Sequence, residues 1–294
     1  MVIIMDELKY IISKQFENKT IKEFLKECNI GRGKVEAIRV SKQSFINGEY
    51  KHLDTPLKEN DVLSFNVEEE IDFECDDKPL KVAYEDEHIL IVNKPVNMLV
   101  HPDDKSKRGT LANLVAHYFK QKNINRKVRY IHRIDKETSG LVIFVKDFIS
   151  EAILLKDIES HSIKRTYIAL VEGVFKPEKG IIIAPIGQDR HKNGKMCVSS
   201  NGKDAITEYQ VMKVIDDYSV VRFNLKTGRT HQIRVHSSFK KHPLLGDVLY
   251  GGNMQRINRV ALHSYSVEFT HPITKKVIEV KSPLPYDFKD LIKK

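Results

Sequence analysis

The stretch from His132 to Gly140 reads His-Arg-Ile-Asp-Lys-Glu-Thr-Ser-Gly and leads into an apolar run, Leu141 to Val145. A polar turn that enters a buried strand is a common position for catalytic groups. This turn offers the carboxylate of Asp135 beside the guanidinium of Arg133, and a carboxylate can serve as acid, base or nucleophile. On spacing alone, a solvated surface loop is a slightly better explanation than catalysis.

Length and composition predict a soluble globular chain. Its 294 residues are enough for two domains, and 41% are hydrophobic while 30% are charged. The apolar runs fall short of the roughly 20 residues that a membrane helix needs. The first residues lack the basic segment of a secretory signal. We therefore expect a cytoplasmic protein with no membrane partner.

The sequence predicts neither a metal site nor a cofactor. Cys28, Cys75 and Cys197 are far apart and form no C-x-x-C pair, which is typical of reduced thiols. No H-E-x-x-H spacing brings histidines and a carboxylate to one helical face.

Charge is unevenly distributed along the chain. Residues 81–294 carry 37 basic and 23 acidic side chains, an excess that favours a polyanionic partner such as nucleic acid. Residues 67–80 carry one basic and seven acidic side chains. A segment this acidic is typical of a linker. We therefore predict a domain at 1–66, a linker at 67–80 and a second domain at 81–294.

The first domain has a pattern of two short helices followed by a hairpin. Helical spacing predicts one helix from Ile21 to Cys28 and a second from Val35 to Val40, Asn47-Gly48 predicts a hairpin turn, and residues 62–67 predict a closing strand. This pattern resembles the alpha-L RNA-binding motif of a ribosomal small-subunit protein, with Asn60 where that motif has glycine. Asn tolerates a left-handed backbone, so the substitution is mild. A generic α+β cap remains the alternative.

The second domain is predicted to be α+β, with a mainly antiparallel mixed sheet. The predicted strands are 89–92, 141–145, 167–171, 181–183, 219–225 and 260–263, and the predicted helices are 110–119 and 150–158.

Several motifs in this domain resemble the RluA branch of the pseudouridine synthases. In order, they are 91–95 (I-V-N-K-P), 100–102 (V-H-P), 132–140, 166–173 (T-Y-I-A-L-V-E-G), 227–236 (T-G-R-T-H-Q-I-R-V-H), 246–251 (G-D-V-L-Y-G) and 261–263 (A-L-H). The resemblance implies an enzyme that isomerises uridine in RNA. It breaks the bond from ribose to N1 of the base and rejoins the ring through C5, without a metal or a redox cofactor.

The resemblance also implies the catalytic residues. Asp135 matches the catalytic aspartate, Tyr167 matches the aromatic residue that packs on the target uracil, and Arg229 matches an arginine paired with the aspartate. Such a guanidinium would lower the carboxyl pKa by about 1 to 3 units. Further residues are expected to contact the base or the RNA, with Arg133 and His132 filling the gap left by the extruded nucleotide. The set is His132, Arg133, Thr138, Ser139, Arg165, Ile233, Arg32, Lys34, Arg39, Arg190, Lys192 and Lys195.

The predicted substrate is a large structured RNA, and the N-terminal module favours large-subunit ribosomal RNA over transfer RNA. Two other classes remain open. An RNA-binding protein without activity would not need Asp135, Tyr167 and Arg229 together, and a base-excising glycosidase would release free uracil. We expect a monomer.

Overall fold

The computed structural model describes residues 8–66, 69–104, 106–192 and 194–293. The N-terminal part forms a small antiparallel sheet in the order β1-β4-β2-β3, next to two helices. Its elements are β1 (Leu8–Ile11), α1 (Ile21–Glu27), α2 (Arg32–Val40), β2 (Ser44–Ile46), β3 (Glu49–Tyr50) and β4 (Val62–Phe65).

Local sequence signals explain these elements. Thr20 and Glu23 form a capping box that starts α1. Asn47 and Gly48 both have positive φ, as the predicted hairpin turn requires. Asn60 adopts φ 68°, so the expected left-handed residue is confirmed. The predicted end of the closing strand, Val67, lies outside the described residues.

The second part is built on one large mixed sheet with helices against it. Its elements are β5 (Val82–Glu85), β6 (Ile89–Lys94), α3 (Leu111–Gln121), β7 (Arg129–Tyr130), β8 (Ser139–Val145), α4 (Phe148–Glu159), β9 (Lys164–Glu172), β10 (Lys179–Ile183), β11 (Ile186–Gln188), β12 (Met196–Val198), β13 (Ile206–Ile215), β14 (Tyr218–Leu225), α5 (Gln232–Phe239), β15 (Leu262–Thr270), β16 (Val277–Lys281) and α6 (Tyr286–Lys293).

The main path of this sheet runs β10-β13-β14-β9-β15-β8-β6-β5, with β16 on β15 and β7 on β8. The pairing of β15 with β8 is parallel, and the other pairings are antiparallel. The α+β class with a mainly antiparallel mixed sheet is therefore confirmed. The last predicted strand was misplaced, because 260–263 covers only the start of β15, which continues to Thr270.

Strand β8 is the centre of the fold, and each of its seven residues is buried. It needs a glycine at position 140, which has φ 111° and lies against the backbone of β15. A Cβ built there would be 2.2 Å from the carbonyl oxygen of Ser264. The last residue of the turn is therefore a glycine because strand β15 passes directly beside it.

The acidic segment lies against the second part of the chain. Glu69 pairs with Arg129, and the carboxylate of Asp72 accepts a hydrogen bond from the backbone N–H of Val128 at 3.0 Å. Ile71 and Phe73 pack on the main apolar core. Ion pairing and apolar contacts, including one from Leu80, thus hold residues 69–80 in place without regular secondary structure.

The N-terminal part packs on the start of α4. Phe148 and Ile149 of α4 belong to the same apolar cluster as Tyr10, Phe24 and Phe65. Among the helices of the described residues, none combines the length and the apolar character that crossing a bilayer requires.

Candidate active site

A cleft of about 510 Å³ opens beside the turn that precedes β8. Its volume is in the range of small-ligand sites. Three segments that are distant in sequence meet there: the 132–140 turn, the start of β9 and the turn before α5. Eight of the predicted residues line this cleft, namely His132, Arg133, Asp135, Thr138, Arg165, Tyr167, Arg229 and Ile233.

The turn is held by its own backbone and by a buried lysine. The backbone N–H of Thr138 donates to the carbonyl of Asp135 at 3.1 Å. Lys94 at the end of β6 is fully buried, and its Nζ donates to the carbonyls of Pro95, Met98 and Lys136 at 2.7 to 3.2 Å. Burial lowers the pKa of Lys94 to about 7. These bonds fix the backbone next to Asp135.

Asp135 is half-buried at the cleft, with 21% of its side chain exposed. Burial raises the pKa of this carboxyl, and the electrostatic effects of His231 and of the Arg234 cation oppose that rise without reversing it. The expectation of a lowered pKa is therefore wrong, because removal from water has the larger effect.

The cation paired with Asp135 is not the one expected. Nη1 of Arg234 lies 3.8 Å from the Asp135 carboxylate, whereas Nε of Arg229 donates to the carbonyl of Asp204 at 2.8 Å. In the described part of the chain, the ion pair of Asp135 is therefore with Arg234 on α5. Arg229 still lines the cleft, but the predicted Asp135–Arg229 pair is wrong.

Arg234 is itself held by a second carboxylate. Its Nε and Nη2 donate to both oxygens of Asp247 at 2.7 and 2.8 Å, and Asp247 is 1% exposed. The bidentate pair orients the guanidinium. Its Nη1 then donates to Glu137 at 3.4 Å and lies 3.8 Å from Asp135. Both residues lie within the motifs quoted above, but the motifs predict no role for either of them, because spacing does not show which arginine of 227–236 faces inward.

Tyr167 and Arg165 form the strand side of the cleft. Tyr167 is 4% exposed, and burial raises the pKa of its phenol. Arg165 is 6% exposed, and its Nε has no hydrogen-bond partner among the described residues. A buried cation with a free donor beside an aromatic ring is suited to the polar edge of a ligand that stacks on that ring.

His132 and Arg133 point in different directions. His132 is 7% exposed, its Nε2 accepts the backbone N–H of Ile143 at 3.3 Å, and burial lowers its pKa to about 3. It is therefore a neutral residue that supports the turn, and it is poorly placed to enter a stack of bases. Arg133 is exposed, with Nη1 3.2 Å from Nε2 of His101, so it can still reach a nucleic acid.

The remaining predicted residues lie away from the cleft. Ser139 bonds Nδ1 of His263 at 2.8 Å, and Lys34 lies over the Phe148 ring at 4.9 Å, between the two parts of the chain. Arg32 and Arg39 are exposed on α2, and Arg190 and Lys192 are exposed in the loop between β11 and β12. Lys195, in the same loop, is half-buried, and its Nζ lies 5.6 Å from the centre of the Tyr250 ring. Nowhere in the described ranges do three or more His, Cys, Asp or Glu side chains gather as they would to hold a metal ion.

This fold and cleft define a class of enzyme in which the Asp135 carboxylate, the Tyr167 ring and several arginines surround a space of small-ligand size. Comparison with known proteins identifies the family. A model of RNA pseudouridylate synthases matches residues 88–239, and a model of the RluD ribosomal pseudouridine synthase N-terminal domain matches residues 8–63. The chain belongs to the RNA pseudouridylate synthase family.

Relatives and solved structures agree with this assignment. The uncharacterized RNA pseudouridine synthase YjbO of Bacillus subtilis is 36% identical over 93% of this chain and 98% of its own. Ribosomal large subunit pseudouridine synthase D of Haemophilus ducreyi is 37% identical over 78% of this chain and 75% of its own. The structure of human RNA Pseudouridylate Synthase Domain Containing 1 matches with a TM-score of 0.59 at 26% identity, over 71% of this chain and 84% of that one.

Proposed function

We propose that this enzyme converts uridine to pseudouridine in large-subunit ribosomal RNA, with Asp135 as its reactive group. The observation that carries the proposal is the Asp135 carboxylate in the cleft beside Tyr167, with Arg234 as its one ion-pair partner among the described residues. A carboxylate that is not saturated by hydrogen bonds keeps lone pairs free for a reacting atom.

Each cleft residue has a separate role in the isomerisation. The Tyr167 ring provides an apolar face for the uracil, and Arg165 provides a donor for the edge of the base. Arg133, on the exposed rim, replaces the extruded base in the RNA stack. Arg229 lines the same cleft, and its partner there is the nucleotide and not the Asp135 carboxylate. The N1–C1′ bond breaks, C1′ rejoins the ring at C5, the C5 proton passes to solvent, and N1 takes up a proton.

The choice of ribosomal RNA rests on the relatives and on the N-terminal part. Several relatives at 34 to 37% identity are named ribosomal large subunit pseudouridine synthase D. Arg32 and Arg39 are exposed on α2, where they can contact phosphates. We retain the division into an RNA-binding domain at 1–66, a linker at 67–80 and a catalytic domain at 81–294, acting as a monomer in the cytoplasm.

The test has two parts. Purified enzyme is incubated with ribosomal RNA that carries tritium at uridine C5, and we expect tritium release without free uracil. Release of free uracil would indicate base excision instead. Pseudouridines are then mapped in cells that lack the protein. Loss from large-subunit RNA supports the proposal, and loss from transfer RNA alone would redirect it.

A further inference from the structure

Tyr250 connects the start of β12 to the catalytic cleft. The backbone N–H of Met196, the first residue of β12, lies 3.0 Å from the Tyr250 hydroxyl oxygen. The same oxygen lies 2.9 Å from Nδ1 of His231. Tyr250 is 6% exposed, so its hydroxyl has little access to water.

These two contacts determine the direction of the hydrogen bonds. A backbone N–H can only donate, so the Tyr250 oxygen accepts from Met196. The phenolic proton then needs an acceptor, and within the described ranges the acceptor that this hydroxyl contacts is Nδ1 of His231. His231 is therefore protonated on Nε2, and the proton on Nε2 is its remaining donor.

His231 is also held in an uncommon backbone conformation at the cleft. It has φ 57° and ψ 21° at the start of α5, in the left-handed region, although it is not a glycine. Such a conformation costs about 1 kcal/mol or more and persists where surrounding contacts enforce it. Here the His231 carbonyl accepts from Val235 at 2.8 Å. The imidazole lines the same cleft as Asp135.

We propose that His231 is a positioning residue of the isomerisation, and that the Met196–Tyr250 chain fixes it in the tautomer that keeps Nε2–H available to the Asp135 carboxylate in the RNA complex. This inference rests on the proposed role of Asp135. The donor orients one carboxylate oxygen and leaves the other free for the nucleotide.

Two amide variants of His231 distinguish a donor at the Nε2 position from a donor at the Nδ1 position. In His231→Gln, the side-chain N–H can occupy the position of Nε2, whereas His231→Asn places its amide at the level of Nδ1. We expect the Gln variant to keep single-turnover tritium release within about 10-fold of the unmodified enzyme. The Asn variant should lose about 100-fold or more, the usual effect of one donor at a reacting centre. RNA Kd should change little in either variant.

Equal rates for the two variants, or a loss in RNA Kd instead of rate, would overturn the proposal. Nitrogen-15 NMR of histidine-labelled enzyme tests the tautomer without RNA, with the His231 signals assigned from the Gln variant. In the unmodified enzyme we expect Nδ1 of His231 to be unprotonated. In Tyr250→Phe the preference for this tautomer should be lost. A protonated Nδ1 in the unmodified enzyme would refute the Met196–Tyr250–His231 hydrogen-bond chain. If the unmodified enzyme forms no pseudouridine but shows this tautomer, the proposed function fails and the hydrogen-bond chain stands.

Discussion

Asp135 and Asp147 lie at opposite ends of strand β8 and have opposite surroundings. Asp147, which begins α4, is fully buried and receives four hydrogen bonds, from Tyr10, His88 and the backbone and hydroxyl of Ser150. In the described part of the chain, the Asp135 carboxylate has an ion pair with Arg234 at 3.8 Å and no side-chain hydrogen bond that would saturate it.

The pKa directions follow from this difference. Burial alone would raise the pKa of Asp147, but bonds from His88 and Ser150 outweigh it and lower the pKa. For Asp135 the effect of burial prevails and the pKa is raised. A carboxylate that is saturated with donors stabilises the fold, and one that is left short of donors is available for chemistry.

The largest expected effect is on catalysis at Asp135. Asp135→Asn should lower single-turnover isomerisation by about 1,000-fold or more, equivalent to ~4 kcal/mol of barrier. Since the folded protein disfavours the ionised form of Asp135, the Asp135→Asn variant should be at least as thermally stable at neutral pH as the unmodified enzyme. Tritium release and the melting temperature measure the two effects, and retained activity would contradict the role of Asp135.

Arg234→Ala should affect both activity and stability. It removes the cation beside Asp135 and leaves the buried Asp247 carboxylate unpaired, which costs about 3 to 5 kcal/mol. Arg229→Ala is the matched control, because it leaves the ion pairs of Arg234 intact. If Arg229→Ala reduced isomerisation more than Arg234→Ala in folded protein, our assignment of the Asp135 partner would be wrong.

Asp147→Asn should destabilise the protein by about 3 kcal/mol, because donors arranged around a carboxylate then face an amide. The single-turnover rate of the folded fraction should stay within about 2-fold, since Asp147 has no place in the cleft. Urea unfolding and tritium release measure these effects. A loss of rate without a loss of stability would remove the distinction between the two aspartates.

The smallest effect is expected for Tyr10→Phe, which deletes one bond to Asp147 across the contact between β1 and α4. One buried hydrogen bond to a charged group contributes about 1.5 to 3 kcal/mol. The loss should be smaller than for Asp147→Asn and should appear in the unfolding free energy. Ile11→Val, at an exposed position of β1, provides a comparison for nonspecific effects.

The sequence was most informative where local chemistry determines structure. The Asn47-Gly48 turn, Asn60 and the 132–140 turn before β8 followed from local rules, and ordered motifs indicated the family. Helix α5 was not predicted, because six of its eight residues are buried. Its sequence therefore shows no alternation between a polar face and an apolar face.

The sequence did not determine which side chains meet across the fold. Arg229 and Arg234 share one motif, and only the start of α5 decides which of them faces Asp135. The bonds from Tyr10 and His88 to Asp147 likewise join positions 137 and 59 residues apart. Such pairings depend on how strands are ordered in the sheet, and local patterns carry no information about them.

Carbon-13 NMR titration of the two aspartates tests the central comparison most directly. Signals of labelled aspartate can be assigned with Asp135→Asn and Asp147→Asn. We predict that Asp135 titrates above the ordinary aspartate range and Asp147 below it. As the pH falls, Asp135 should therefore take up its proton first, with loss of isomerisation, while the stability contributed by Asp147 is lost only at lower pH. The reverse order of titration would contradict the account.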